Sequence, residues 1–136
     1  MSAKNLARAA AILFGLWGVL HVAAAWQVAN LAGTLEAGAI RGRVSQVAFF
    51  LLEFALLSMA CVPSIWRISP GGYLVAAAAT TAADIPFVLF LVIPGHVGLP
   101  TSVIGPSIWI AAVVLGALAL RRSPNTGVYV TGARRG

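Results

Sequence analysis

Four apolar runs, each long enough to cross a lipid bilayer, dominate this chain. They lie at about residues 9–30, 44–66, 71–93 and 101–120, and a membrane-spanning helix needs about 20 such residues. Lipid offers the backbone no hydrogen-bond partner, so only helices and closed barrels can cross it. These runs are too long for strands and do not alternate with polar residues. The sequence therefore predicts an all-α integral membrane four-helix bundle.

Composition excludes the main soluble classes of protein. Of the 136 residues, 60% are hydrophobic and 9% are charged, whereas a soluble globular domain has about 25% charged residues. Such a chain cannot cover a surface that faces water, which excludes a cytosolic enzyme and a secreted globular domain. A disordered tail needs low hydrophobicity and is excluded as well. The single cysteine, Cys61, leaves no intramolecular disulfide and is expected to pack as a small hydrophobic residue.

Short connections organise the spans into one domain, residues 1–122. The sequence Ser69-Pro70-Gly71-Gly72 separates spans two and three, and about seven residues join spans three and four. Loops that short make neighbouring helices antiparallel, which predicts an up-down-up-down topology. Between spans one and two, Leu31–Ile40 is either a plain connector, which we favour, or a short interfacial helix capped near Thr34.

The basic residues predict the orientation of the bundle. All nine Lys and Arg residues lie outside the predicted spans, and seven of them fall on the side that holds both termini. Cytoplasmic segments carry an excess of Lys and Arg, so both termini are expected in the cytoplasm, with a bacterial inner membrane as the location. The net charge of +6 predicts anionic lipid headgroups as partners and not nucleic acid. Residues 123–136 are expected to form a polar, basic tail.

Three ionisable residues lie inside the spans: His21 in the first, Glu53 in the second and Asp84 in the third. A charged group at the bilayer centre costs about 2.5–3.5 kcal/mol on insertion scales, and such residues usually face a bundle interior or a wet cavity. At a rise of about 1.5 Å per residue, all three lie within about 3 Å of one level. This shared depth favours a functional pocket. The alternative is that the three groups only bond each other and hold the helices in register.

Aromatic and hydroxyl residues border this level on the same helices. Trp17 lies one turn before His21, and Thr80 lies one turn before Asp84. Pro86 removes one helical hydrogen bond and is expected to open the third span beside the acid. The side chains that we expect to bind a ligand are Trp17, Phe50, Thr80, Thr81, Phe87 and Trp109.

These residue types suit acid–base chemistry on a lipophilic small molecule. An isolated carboxyl group stays protonated in a low-dielectric site. We therefore expect Asp84 to donate a proton, Glu53 to act as the partner carboxylate, and His21 to act as the base or the orienting residue. Such groups can isomerise or cyclise an alkene, epoxide or carbonyl compound, and aromatic faces can stabilise a cation. The prediction is binding and conversion of a terpenoid- or sterol-like molecule, with no cofactor and no metal.

The arrangement is similar to that of sterol-isomerase-type four-helix membrane proteins (the emopamil-binding class) and of small membrane-embedded terpene cyclases. The resemblance rests on Trp17, His21, Glu53 and Asp84, and it covers an arrangement without a signature string. In length and span count the chain also resembles DoxX-like proteins. The resemblance implies an intramembrane acid site for a lipophilic substrate.

Two other functions fit the same sequence. An acid at mid-depth could couple proton movement to the transport of a small molecule, although small multidrug transporters carry an acid in the first span, where this chain has His21. A non-catalytic accessory subunit of a membrane complex, or a homo-oligomer, is also compatible with the sequence. Small residues four positions apart, such as Ala79 and Ala83, would let another helix approach closely.

Overall fold

The computed structural model describes residues 1–123, so the predicted tail after Ser123 lies outside the described residues. The elements are α1 (Ala3–Thr34), α2 (Ala39–Trp66), α3 (Pro70–Phe87), a π-helical segment that continues α3 (Val88–Val92), and α4 (Thr101–Arg121). Four stretches are long and apolar enough to cross a membrane: α1, α2, α4, and α3 together with its π-helical segment. The described chain is all-α, and the prediction of four helical stretches long and apolar enough to span a membrane is confirmed.

Serine side chains mark the beginnings of two helices. Ser2 Oγ accepts a hydrogen bond from the backbone N–H of Asn5 at 3.3 Å, at the start of α1. Ser69 Oγ accepts from the backbone N–H of Gly72 at 3.4 Å, and Pro70 occupies the first position of α3. Both are favoured arrangements, because the first N–H groups of a helix have no partner inside it.

The segment between α1 and α2 is shorter than the sequence suggested. α1 continues through Thr34 and α2 begins at Ala39, so only residues 35–38 connect them. Thr34 Oγ1 donates to the carbonyl of Leu31 at 2.8 Å, so this residue belongs to the last turn of α1. The region Leu31–Ile40 therefore holds a plain connector between two long helices, and no separate interfacial helix forms there.

The packed core is concentrated in one half of the bundle. The side chain of Phe14 is fully buried there and meets the ring of Tyr73 edge-on, with 6.4 Å between the ring centroids. Ser58 Oγ donates to the carbonyl of Phe14 at 3.1 Å, which joins α2 to α1. The apolar residues of this core are Ala10, Ala11, Phe14, Ile65, Ala76 and Ala112, with Cys61 partly buried against them.

Polar contacts join the helix ends next to this core. The guanidinium of Arg8 lies over the ring of Trp66, 5.5 Å from its centroid, and Arg122 Nη1 donates to the carbonyl of Met1 at 3.0 Å. The opposite half of the bundle buries fewer side chains, among them Ala25, Ala32, Ala48 and Ser102. The bundle is thus packed unevenly along its length.

Small side chains dominate the interior, and large apolar side chains face outward. Alanine is the commonest buried residue, whereas Ile12, Leu74 and Phe90 are 59%, 62% and 70% exposed. Lipid tails are as apolar as leucine, so lipid does not drive large side chains inward, and small residues let backbones approach. At Gly18, an added Cβ would lie 2.4 Å from Met59 Cγ. The same Cβ would lie 3.0 Å from the backbone carbonyl oxygen of Ala55, so a side chain at this position would displace Met59 and crowd the backbone of α2.

Candidate functional site

A buried hydrogen bond joins α1 to α3 near the middle of the bundle. The side chain of Asp84 is 1% exposed, and that of Trp17 is fully buried. Trp17 Nε1 donates to Asp84 Oδ2 at 2.5 Å. An indole N–H can only donate, and both carboxyl oxygens can accept, so the two side chains complement each other. Sixty-six residues separate Trp17 and Asp84 along the chain, and this contact fixes the relative rotation of their helices.

The imidazole of His21 stacks on the indole of Trp17. The ring centroids are 3.6 Å apart and the planes differ by 19°. His21 Nδ1 lies 3.0 Å from the backbone carbonyl oxygen of Trp17, one turn earlier. Because a carbonyl oxygen can only accept, this contact places the proton on Nδ1 and leaves Nε2 as the acceptor of the neutral ring. Backbone and ring contacts together fix the orientation of His21.

Gly105 places a third helix, α4, next to the side chains of Asp84 and His21. A Cβ added to Gly105 would lie 3.8 Å from Asp84 Oδ1 and 3.9 Å from His21 Cε1. These are ordinary van der Waals distances, so the glycine leaves a space about the size of a methyl group beside both side chains. Asp84 and His21 therefore border the same small space between α1, α3 and α4, and we call this space and its lining residues the Asp84 site.

One oxygen of Asp84 has no partner. Trp17 occupies Oδ2, and none of the described residues donates a hydrogen bond to the buried Oδ1. Thr80, one turn earlier on α3, is buried but directs its hydroxyl to the carbonyl of Ala77 at 3.2 Å. A buried polar atom without a partner costs about 1–3 kcal/mol. The Asp84 site thus contains an oxygen that a ligand could satisfy.

The backbone of α3 changes geometry just beyond the acid. Pro86 has no N–H and cannot donate to Ala82, and the π-helical segment Val88–Val92 begins two residues later. In that segment hydrogen bonds span five residues, as from Ile93 N to the carbonyl of Val88 at 2.9 Å. π-helical turns are often found at functional sites. The sequence predicts that Pro86 opens the third span, and the structure has a wider, π-helical segment directly after it.

A second polar contact joins α4 to α3. Trp109 Nε1 donates to Thr81 Oγ1 at 3.0 Å, and both side chains are half-buried. Thr81 also lines an open, mostly apolar groove of about 560 Å³ along the outer side of α3. The other lining residues are Leu74, Ala77, Ala78, Ala82, Ile85 and Pro86. The groove extends past the level of Asp84, but the buried Asp84 side chain is not part of its lining.

The remaining predicted site residues lie elsewhere. Glu53 and Phe50 are exposed on α2, the latter by 43%, and Phe87 is half-buried as the last residue of α3. The buried residues of α2, which include Ala55 and Ser58, lie on the other side of that helix from Glu53. The structure therefore brings His21 and Asp84 together, with Trp17, and leaves Glu53 outside this group.

Sequence reasoning missed Gly105, because a glycine within an apolar helix carries no chemical signal of its own. Its only hint is position, since it lies directly before Pro106 in the half of α4 opposite the packed core. Depth would not have identified it either, because Gly105 lies about five residues, or about 8 Å, from the middle of the predicted span 101–120.

The Asp84 site contains one carboxyl group, one imidazole and one indole N–H, and these groups determine what chemistry it can perform. Within residues 1–123 no group of three or more His, Cys, Asp or Glu side chains is placed to hold a metal ion. The site can donate or accept a proton and can hydrogen-bond one polar group of a ligand.

Comparison with known proteins adds no family to this description. No protein-family model, no curated protein and no solved structure matches the chain.

Proposed function

We propose that this protein binds a lipophilic, terpenoid- or sterol-like small molecule at the Asp84 site and isomerises or cyclises it by acid–base chemistry. One observation carries the proposal: Asp84 is buried, and its Oδ1 has no partner among the described residues and borders the space beside Gly105 that His21 also borders. Buried polar atoms in native proteins nearly always have hydrogen-bond partners, so an exception calls for a functional explanation.

In this proposal Asp84 is the proton donor. Trp17 donates to Oδ2, and in a neutral carboxyl group the carbonyl-type oxygen is the better acceptor. The acidic proton is then carried by Oδ1, the oxygen beside His21 and Gly105. Trp17 would thus direct the acid toward the ligand space.

His21 is the base of the proposed reaction. Its Nδ1–H is held by the carbonyl of Trp17, so Nε2 keeps a lone pair that can take a proton. The stacked indole keeps the imidazole plane in place. An acid and a base fixed on different helices suit addition of a proton to one carbon of a double bond and removal of a proton from the carbon beyond the resulting cation.

In the proposed isomerisation, Asp84 Oδ1 transfers its proton to one carbon of a substrate double bond, and the neighbouring carbon becomes a cation. His21 Nε2 removes a proton from the next carbon, and the electrons of that C–H bond form the new double bond. Proton transfer from His21 back to Asp84 restores both groups. In a cyclisation, a second double bond attacks the cation before the proton is lost.

A lipophilic substrate would reach the site through the membrane. The apolar groove along α3 has a volume of about 560 Å³, which an aliphatic chain could occupy, and Thr81 and Pro86 are among its lining residues. Trp109 is held against Thr81 and presents an aromatic ring close by. Aromatic faces stabilise cations, which suits a carbocation intermediate.

We further propose that the helices form an up-down-up-down bundle in a bacterial inner membrane, with both termini in the cytoplasm. The contacts of Arg8 with Trp66 and of Arg122 with Met1 support antiparallel neighbours, since they join starts of helices to ends of others. Seven of the nine Lys and Arg residues fall on that side. They would face the anionic lipid headgroups of the inner leaflet.

Deuterium incorporation tests the conversion. Full-length protein in lipid nanodiscs is incubated in D2O with farnesol, squalene or an unsaturated sterol, and the products are analysed by mass spectrometry. Protonation of a double bond by Asp84 would place deuterium on carbon in at least one probe. Asp84→Asn should lower that rate about 10²–10⁴-fold, as for loss of a general acid.

Glu53→Gln is the matched control, because it also removes a carboxyl group from an apolar helix and should keep the wild-type rate. If every probe stays free of deuterium on carbon, or if Asp84→Asn incorporates it equally, the proposed conversion is wrong. Proton influx into sealed vesicles that depends on a probe and on Asp84 would favour a proton-coupled transporter instead.

A further inference from the structure

One continuous exposed face of α2 carries a carboxyl group at its centre. Its residues, which we call the Glu53 face, are Gly42, Gln46, Phe49, Glu53, Leu56 and Ala60, and all six are exposed. Glu53 lies near the midpoint of the 28 residues of α2. About 20 Å of helix therefore lies on each side of it, which places the carboxyl group far from either end.

Among residues 1–123, the carboxyl group of Glu53 takes part in no hydrogen bond and no ion pair. The basic residue nearest to it along α2 is Arg43, about 15 Å away along the helix axis. Lipid tails offer no hydrogen bond either, so a carboxyl group on this face is unfavourable unless another molecule covers it.

The spacing of the Glu53 face is that of a helix–helix seam. Gln46, Phe49, Glu53, Leu56 and Ala60 follow one another at alternating steps of three and four residues. Steps of this kind keep one side of a helix against a partner helix over its whole length. The face thus combines the geometry of an interface with a polar group that needs a partner.

We propose that a second copy of this chain covers the Glu53 face, with the two Glu53 carboxyl groups hydrogen-bonded to each other across a two-fold axis. Two copies inserted in the same orientation place Glu53 at the same depth, and near a two-fold axis a residue meets its own counterpart. A protonated carboxyl group both donates and accepts, so two such groups complement each other. Between Arg43 and Arg67 the chain has no Lys or Arg, so α2 of a second copy offers Glu53 no basic partner at this depth. What a second copy does offer is its own Glu53 carboxyl group.

Disulfide cross-linking tests the interface with Glu53 intact. In a Cys61→Ala background, Phe49→Cys or Leu56→Cys places a single thiol on the face, and Ile12→Cys or Val114→Cys serves as control on the exposed sides of α1 and α4. With an oxidant, in vesicles at low protein-to-lipid ratio, the first two should form disulfide-linked dimers in most chains. The controls should stay monomeric. Equal cross-linking at all four positions, or none at Phe49 and Leu56, overturns the proposal.

Counting of copies tests the role of the carboxyl group. Single-molecule photobleaching of the wild-type protein in vesicles should show two copies. Glu53→Gln should keep the dimer, because an amide also donates and accepts, whereas Glu53→Leu should weaken association roughly tenfold. Wild-type protein that is monomeric at every density overturns the proposal, and so does a Glu53→Leu variant that dimerises as well as the wild type. Association with a different membrane protein in place of a second copy also overturns it.

Discussion

Asp84 and Glu53 are both acids near the middle of apolar helices, and they have opposite surroundings. Asp84 is 1% exposed and accepts a hydrogen bond from Trp17. Glu53 is exposed on α2 and has no hydrogen-bond partner among the described residues. One carboxyl group is therefore partly satisfied inside the chain, through its Oδ2, whereas the other has no partner among the described residues.

The neighbours of each acid show what separates the two regions. Asp84 shares its side of α3 with the small residues Ala76, Thr80 and Ala83, which are buried. Glu53 lies among the large exposed side chains of Phe49 and Leu56. In a membrane, small residues mark the face that packs against other helices, and large apolar residues mark the face toward lipid. Side-chain size, more than polarity, distinguishes interior from exterior here.

The strongest test of this comparison uses two tryptophans of α1. Trp17→Ala should lower the free energy of unfolding by about 3–5 kcal/mol, because it empties a fully buried site and leaves Asp84 without its donor. Trp26 is 71% exposed, so Trp26→Ala should have little effect. Unfolding in mixed detergent micelles, followed by circular dichroism, measures both. Equal losses would mean that the interior assignment of Trp17 is wrong.

The two acids themselves give the next largest difference. Asp84→Leu should cost about 1–3 kcal/mol, because the buried Nε1–H of Trp17 loses its acceptor. Asp84→Asn keeps an acceptor oxygen and should cost less. Glu53→Leu should not destabilise the monomer in detergent. The same unfolding experiment compares the three variants, and a larger loss for Glu53→Leu than for Asp84→Leu would reverse the comparison.

A smaller effect is expected where α4 meets α3. Trp109→Phe should cost about 0.5–1.5 kcal/mol, because it removes the hydrogen bond to Thr81. Thr81→Val should cost a similar amount, and the double variant should add little, as expected for partners in one bond. Unfolding free energies of the two single variants and the double variant measure this coupling. Additive losses would show that the two side chains act independently.

The smallest effect on stability is expected at Gly105. Gly105→Ala should leave the free energy of unfolding nearly unchanged, because the new Cβ would make only ordinary contacts at 3.8 and 3.9 Å. It would fill the space beside Asp84 Oδ1, so the rate of deuterium incorporation into the probes should fall. Gly116→Ala is the contrasting variant, since its Cβ would lie 2.5 Å from the Tyr73 ring and should destabilise the bundle. A clear loss of stability for Gly105→Ala would contradict the structure of the Asp84 site.

Hydropathy predicted the number and position of the helices well, because lipid requires long, uninterrupted apolar segments. It also brought His21 and Asp84 to one depth, and both side chains border the space beside Gly105. Depth alone could not predict that Glu53 points away, because the rotation of a helix about its axis depends on packing against its neighbours. The sizes of Phe49, Phe50 and Leu57 carried that information. The contact between Trp17 and Asp84 depends on three-dimensional packing of α1 against α3, which no sequence spacing encodes.

The uneven packing along the bundle has a mechanical consequence. Arg122 is joined to Met1 at one end of α4, and Gly105 lies 16 residues before Arg121, about 24 Å from this joined end. A tilt of α4 by about 5° around that end would move Gly105 by about 2 Å. That displacement is enough to admit or exclude a methyl-sized group beside Asp84. The width of the Asp84 site is therefore sensitive to the angle of α4, whose other end, at Arg122, lies at the opposite end of the bundle.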